Sequence, residues 1–247
     1  MLSKNQLKLI KSLEQKKQRK KQGLFIVQGE KNVAELLRSD FVIEQVFATS
    51  TYINKNNTLL STHQLVPLCT EVSSDELKKM GTLLSNNSVL VVAKCKTATL
   101  PTIASQELIL VLDQVGDPGN LGTIIRVADW YGVKNIVCSP DCADFYNPKV
   151  IAASMGSFAR INVSHTPLVE YLAIQEKPIF GAYLEGSNLH QCALPKSAFI
   201  VMGSESHGIS DELEHLISDK ITIPNFGAAE SLNVAMATGI ILDNFKR

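Results

Sequence analysis

Two rhythms alternate along the chain. Short apolar runs flanked by glycine, proline or small polar residues take turns with stretches in which apolar side chains recur every third or fourth position. The first rhythm is that of a buried strand and the second that of an amphipathic helix. Near the N-terminus Leu7, Ile10 and Leu13, with Leu9 alongside, predict one helix over Lys4 to Lys21 that ends near Gly23. A strand at Leu24 to Val27, a helix at Glu30 to Arg38 and a strand at Ile43 to Ala48 follow. Gln64 to Leu68 is a further strand candidate, Ser73 or Ser74 caps a helix through Met80, and Val89 to Ala93 closes the block as a strand. Glu30 and Lys31 beside Gly29 suit a ligand contact or a plain turn and helix start. Thr97 to Gln106, polar and broken by Pro101, reads as a linker.

From Glu107 the alternation resumes with more continuous apolar strands, as in a parallel sheet covered on both faces. The pattern places strands at Leu108 to Asp113, Asn135 to Cys138, Ile161 to Val163, Ile179 to Tyr183, Ala198 to Met202 and Lys220 to Ile223. Helices fall at Leu121 to Tyr131, Pro148 to Phe158, Leu168 to Gln175, Asp211 to Ile217 and Leu232 to Phe245. This is an α/β chain: an N-terminal α/β domain over 1–97, a linker over 98–106, and a doubly wound domain over 107–247.

Composition narrows the class. With 45% hydrophobic and 19% charged residues the chain has the balance of a soluble globular protein. Its longest apolar runs, such as Leu108 to Leu112, are far short of the ~20 residues needed to span a bilayer, so no membrane partner is expected. The N-terminus MLSKNQLKLIKSL lacks the order of a secretory signal, and the cytoplasm is the expected location. Cys69, Cys95, Cys138, Cys142 and Cys192 are odd in number and include no CxxC pair. They read as buried or incidental thiols in a reducing compartment, and no metal site is expected. Net charge is zero, yet residues 1–22 carry eight Lys or Arg against Glu14 alone, a local charge of +7 that the remainder offsets. Lys16, Lys17, Arg19, Lys20 and Lys21 therefore point to a polyanion, although a lysine run also suits a solvated helix face.

Three loops that follow strands carry the candidate chemistry. The first opens Asp113 to Gly132, DQVGDPGNLGTIIRVADWYG, where a strand gives way to a glycine-rich turn and a helix. Gly116, Gly119 and Gly122 are spaced GxxGxxG rather than GxGxxG, and Asp113 and Asp117 put carboxylates where a pyrophosphate would lie. A nicotinamide-dependent oxidoreductase is disfavoured on that ground. Asn120 and Arg126 suit a polar substrate group; the alternative is a turn and core helix with Arg126 paired to Asp129. The second loop is Met202-Gly203-Ser204-Glu205-Ser206-His207-Gly208 and the third is Ile223 to Asn233, IPNFGAAESLN. In a parallel sheet all three emerge on one edge.

NLGTIIRVADWYG, VMGSESHGIS and IPNFGAAESLNVAMATG, in this order, resemble motifs 1, 2 and 3 of the SpoU (TrmH) family of RNA ribose 2'-O-methyltransferases in the SPOUT superfamily. The N-terminal block, with GLFIVQGEKNVAELL, is similar to that family's substrate-binding domain. The resemblance implies an L30e-like α/β domain followed by a Rossmann-like parallel-sheet SPOUT domain whose C-terminal segment forms a trefoil knot. Connection rules alone would have predicted an unknotted sheet. It also implies S-adenosylmethionine bound by the second and third loops at Met202, Gly203, Ile223, Leu232 and Asn233. The polar residues carried over are Asn120, Arg126, Glu205, Ser231 and Asn233. The expected partners are RNA, ribosomal RNA before transfer RNA, and a second copy of the chain.

The family proposal makes the arginine a general base, a demanding role for a guanidinium, which keeps its proton throughout the physiological range. A milder role has Arg126 hold a phosphate and steady a developing alkoxide. Glu205 and Ser231 also read as helix caps. Ser206 and His207 depart from the second motif's glycine, and Asn225 stands where methionine usually follows the Ile-Pro pair. The competing function is a noncatalytic RNA-binding protein of the same fold.

Overall fold

The alternating pattern folds, in a computed structural model that describes residues 2–83, 86–102 and 107–247, into two units. One comprises residues 1–97 with 144–159, the other residues 98–143 with 160–247.

In the first unit β1 (Leu24–Gln28), β2 (Ile43–Ala48), β3 (Cys69–Glu71) and β4 (Val89–Lys94) form a sheet of order β1-β4-β2-β3. β4 is antiparallel to β1 and to β2, and β2 is parallel to β3. Its helices are α1 (Lys4–Ser12), α2 (Lys16–Gln22), α3 (Glu30–Leu37), α4 (Ser50–Lys55), α5 (Asn57–Thr62) and α6 (Ser74–Met80). The strand expected at Gln64 to Leu68 is instead a 3-10 turn at Val66–Leu68 with Pro67 in its first turn, where a missing N–H costs nothing. The strand is displaced to Cys69–Glu71. α4 and α5 arise in a polar stretch without a hydrophobic period; the Thr49 hydroxyl starts α4 by accepting the Tyr52 N–H at 3.4 Å.

The single helix expected over Lys4 to Lys21 is two helices. Ser3 and Gln6 form a reciprocal capping box at the start of α1, and Ile10 and Leu13 are fully buried with Ile26, Phe47, Leu77 and Leu90. Beyond Leu13 the sequence KKQRKKQ has no apolar face, so nothing draws a straight helix onward into the core. The chain turns, and α2 buries one side chain, Arg19, at 3% exposure. Its Nη1 donates to the carbonyls of Leu13 (2.7 Å) and Glu14 (2.8 Å), capping the end of α1. Its Nε donates to Asp144 Oδ2 at 2.9 Å, and Nη2 reaches the same oxygen. Arg19 is therefore a structural tie and not the surface contact to a polyanion that the charge run predicted. Lys16, Lys17, Lys20 and Lys21 are exposed.

In the second unit β5 (Leu108–Leu112), β6 (Asn135–Cys138), β7 (Asn162–His165), β8 (Ile179–Asn188), β9 (Ala198–Met202) and β10 (Asp219–Thr222) form a wholly parallel sheet of order β10-β8-β9-β5-β6-β7. The remaining helices along the chain are α7 (Pro118–Trp130), α8 (Pro148–Ala153), α9 (Leu168–Ala173), α10 (Asp211–Glu214) and α11 (Val234–Lys246). β5 and β9, central in the sheet, are buried at every residue. From β5 the chain steps outward to β6 and β7, then crosses to β8 beyond β9. The reversal lies between β5 and β9, and the crevice outside their carboxyl ends is where an open α/β sheet places a ligand.

Several boundaries differ from the sequence expectation; α7, for one, starts at Pro118 and not Leu121. β8 runs on to Asn188, α10 stops at Glu214, and α11 starts at Val234 because Asn233 caps it. The stretch Asp144 to Ala159, including α8, belongs with the first unit although its sequence neighbours lie in the second. There the Tyr146 and Phe158 rings lie 4.6 Å and 6.4 Å from Phe25. The helix expected to reach Phe158 ends at Ala153 because Met155 and Gly156 take positive φ, 52° and 99°. Of the linker, residues 98–102 form neither helix nor strand, and 103–106 lie outside the described residues. Asn162 Nδ2 donates to the Thr99 carbonyl and the Tyr171 hydroxyl to that of Pro101. No helix of the described residues is long and apolar enough to cross a membrane.

Candidate active site

One buried carboxylate governs the second loop. Asp113, at the end of β5 and 3% exposed, donates its N–H to the Met202 carbonyl at 2.9 Å. Its Oδ2 accepts the Ser210 N–H at 2.8 Å. The residues on either side of the loop 203–209 are thus fixed by a single side chain and its own backbone. Within the loop Ser204 and Gly208 exchange backbone hydrogen bonds of 2.9 and 3.0 Å, and Ser204 Oγ accepts the His207 N–H at 3.2 Å. A Cβ added at Gly203 would lie 2.1 Å from the Gly208 carbonyl carbon. Glycine is required at 203 by the loop's closure on itself. Met202 is buried and its carbonyl takes the Asp113 N–H, so Met202 supports the loop from below.

The first loop is pinned from the other side. Gln114, with φ of 56°, donates its N–H to Ser139 Oγ at 2.9 Å, and the Val115 N–H meets Cys142 Sγ at 3.3 Å. Hydrogen bonding from the buried Cys138 thiol brings the Cys142 thiol down to about 7 against the opposing effect of its own burial. Asp117 is the N-cap of α7, accepting the Asn120 N–H at 2.8 Å, with Pro118 in the first turn. Asp113 and Asp117, which the sequence offers only as obstacles to a phosphate, are the staples of two loops. An Asp closing an apolar strand and an Asp-Pro opening a helix were the available signals.

These loops bring three polar side chains together. Glu205 Oε1 accepts from Asn120 Nδ2 (3.0 Å), from Asn233 Nδ2 (2.6 Å) and from the Val234 N–H (3.4 Å). Asn233 Nδ2 also donates to Asn120 Oδ1 at 3.0 Å. Asn233 Oδ1 meanwhile accepts the Ala235 and Met236 N–H groups, capping α11. The carboxylate of Glu205 thus sits at the positive end of a 13-residue helix. α7 and α11 run side by side in the same direction: Asn120 meets Asn233, the gap at Gly239 faces Val127, and the Tyr131 hydroxyl reaches Asp243 at 3.4 Å.

The other expected residues are placed differently. Arg126 is exposed and makes no hydrogen bond or ion pair among the described residues. Six residues after Asn120, it lies about 9 Å further along the helix and about 120° around it. The alternative pairing with Asp129 is not formed, because Asp129 accepts from Arg160 at 3.0 and 2.7 Å. Ser231 and Leu232 are exposed just before Asn233, and Ile223 is half-buried at the start of the third loop. Asn225 holds that loop: its Oδ1 accepts the Gly227 N–H and its Nδ2 donates to the Ala229 carbonyl, both at 2.8 Å. Apart from this clamp the backbone polar groups of residues 226–232 make no hydrogen bond among the described residues. Among the described residues no group of three His, Cys, Asp or Glu is placed to hold a metal ion.

A parallel sheet with three loops converging on an amide and carboxylate cluster at its switch point has the ligand site of a doubly wound α/β protein. Residues 107–243 match the model of the SpoU rRNA Methylase family, and the chain belongs to that family. Residues 4–90 match the MRM3-like substrate binding domain. The chain is 29% identical to the 23S rRNA (guanosine(2553)-2'-O)-methyltransferase RlmP of Bacillus subtilis, over 94% of this chain and 92% of that protein. A solved TrmH-family structure from Porphyromonas gingivalis is 34% identical, covering 99% and 98% of the two chains with a TM-score of 0.87. An rRNA methyltransferase from Sinorhizobium meliloti, solved with AdoMet bound, is 25% identical over 100% and 95%, with a TM-score of 0.86.

Proposed function

We propose that the protein transfers a methyl group from S-adenosylmethionine to a ribose 2'-hydroxyl, in ribosomal RNA in preference to transfer RNA. The observation that carries this reading is the convergence of Asn120, Glu205 and Asn233 at the sheet's switch point. The third loop fits the cofactor. Its free backbone donors and acceptors and the partly exposed apolar side chains of Ile223 and Leu232 suit an adenine, which needs an apolar slot and backbone hydrogen bonds. Gly203, Ile223, Leu232 and Asn233 would hold it. When bound it supplies a methyl group activated on a sulfonium.

The chain's own residues then position the acceptor. Glu205 fixes the carboxamides of Asn120 and Asn233 edge to edge, so both are oriented before substrate arrives and little ordering remains for the transition state. Ser231, two residues before Asn233, is free to meet the ribose. Arg126 holds the neighbouring phosphate with its planar fork and steadies charge on the attacking oxygen.

Residues 1–97 form the substrate-binding domain, L30e-like, with Lys16, Lys17, Lys20 and Lys21 drawn to the RNA backbone. Residues 107–247, apart from the stretch 144–159 that belongs with the first unit, form the methyltransferase domain. A C-terminal trefoil knot is part of this reading through the resemblance of the three motifs to the SpoU family. A homodimer is supported by Trp130 and Met236, 84% and 63% exposed on the adjacent helices α7 and α11. Arg126, one turn from Trp130, faces the same way.

Incubation with methyl-labelled S-adenosylmethionine and separate ribosomal and transfer RNA pools tests the reading. Label is expected at a 2'-O position of ribosomal RNA. Cofactor binding without label in either pool would favour the noncatalytic RNA-binding alternative.

A further inference from the structure

Phe226 is 94% exposed, the most open large apolar side chain among the described residues. Its backbone is not loose, because the Asn225 side chain spans the turn from Gly227 to Ala229 and holds residue 226 at the apex. The neighbours are small or polar and equally open: Asn225, Gly227, Ala228, Ala229, Glu230 and Ser231 are all exposed. Both faces of the ring are therefore bare. Asn233, in the amide and carboxylate cluster, follows seven residues later, a reach of at most about 24 Å.

We propose that Phe226 is a stacking platform for a nucleobase of the RNA substrate, in the stretch of RNA that carries the methylated nucleotide. The proposal rests on the RNA methyltransferase reading of the same site. The core of a protein interface is a cluster of apolar side chains, with polar groups at its rim. Phe226 has no large apolar neighbour along its turn, only Ala228 and Ala229, which suits a flat ligand held by one ring and not a second protein surface. Splayed single-stranded bases are held in this way, each stack giving sequence-tolerant affinity because every base has a π-face. The departure from the family's usual methionine at Asn225 is explained on this reading. Asn225 keeps the ring presented before RNA arrives, so less ordering is lost on binding.

The test uses the full chain and large-subunit ribosomal RNA transcribed without modifications. Phe226→Ala should weaken RNA binding, measured without cofactor, by roughly tenfold, and raise the RNA KM to match. The KM for S-adenosylmethionine and the sedimentation coefficient should stay unchanged, and Phe226→Tyr or Phe226→Trp should restore binding. Native RNA affinity in Phe226→Ala overturns the proposal. So does a change confined to cofactor affinity, and so does a shift to a lower oligomer, which would assign the ring to an interface between copies. Because binding is read separately, an absence of methyl transfer by the wild-type chain would count against the methyltransferase reading alone.

Discussion

Asn233 Nδ2 lies 2.6 Å from Glu205 Oε1, and the same asparagine caps α11 with its oxygen. The second and third loops are joined through this one side chain, so the position of Asn120 opposite them depends on both. Glu205→Ala removes the acceptor of three N–H groups and should lower kcat by roughly a hundredfold, within the range seen when one preorganised polar group is lost. Glu205 is exposed, so the melting temperature should hardly move. Single-turnover methyl transfer alongside a thermal scan checks this; a large drop in stability with native turnover would make Glu205 a cap and nothing more.

Asp113 acts one layer below. In Asp113→Ala the Ser210 N–H loses its acceptor, and the far end of the loop carrying Glu205 loses its tie to β5. Leaving this part-buried donor without a partner costs about 1 kcal/mol, measurable by urea unfolding, and the Ser210 amide should exchange faster with deuterium. Asp113→Asn keeps a carbonyl oxygen at the same place and should recover most of both effects. Equal damage from the two substitutions would show that charge, not the hydrogen bond to Ser210, is what the position supplies.

How far the sequence could be read depends on which force decides each feature. Strand and helix alternation was legible because burial imposes periodicity, and β5, β6 and β9 fall where the apolar runs are. Asn120, Glu205 and Asn233 were legible as a set only through the resemblance to known motifs; nothing in their spacing says that one carboxylate oxygen joins them. The place of Arg19 was not legible, because a charge count cannot distinguish a guanidinium in water from one that caps a helix. Its partner Asp144 is 125 residues away. The placement of Asp144 to Ala159 with the first unit was likewise hidden, since a contact of that range leaves no local period.

The two kinds of basic residue in the arm should behave oppositely. Arg19→Met leaves Asp144 and two helix-end carbonyls without their donor and should destabilise the protein by about 3 kcal/mol, as expected for a broken, largely buried pair. Replacing Lys16, Lys17, Lys20 and Lys21 together by glutamine should leave stability within about 0.5 kcal/mol of native, being confined to the surface. It should instead weaken RNA binding and flatten the slope of log affinity against log salt by up to about 3.6, four contacts at ~0.9 each. Denaturant titrations and RNA binding at several salt concentrations separate the two; an unchanged slope in the quadruple variant would remove the arm from the RNA-binding surface.

Arg126, like Ser231, is an expected site residue that its own chain leaves outside the cluster, and it is exposed one turn before Trp130. Arg126→Lys keeps the charge but loses the planar fork, and methyl transfer should fall by roughly a hundredfold with cofactor affinity unchanged. A sharper outcome follows from where the side chain points. If the bare face of α7 and α11 meets a second copy, Arg126 of one chain serves the cluster of the other. Protein inactivated by Arg126→Ala, mixed in equal amounts with protein inactivated by Asn233→Ala and allowed to exchange subunits, would then regain about a quarter of native activity. Half the dimers are mixed in a statistical exchange, and each has one intact site. No regain after verified exchange would place Arg126 and Asn233 in the same chain's site and require Arg126 to reach its own cluster when RNA binds.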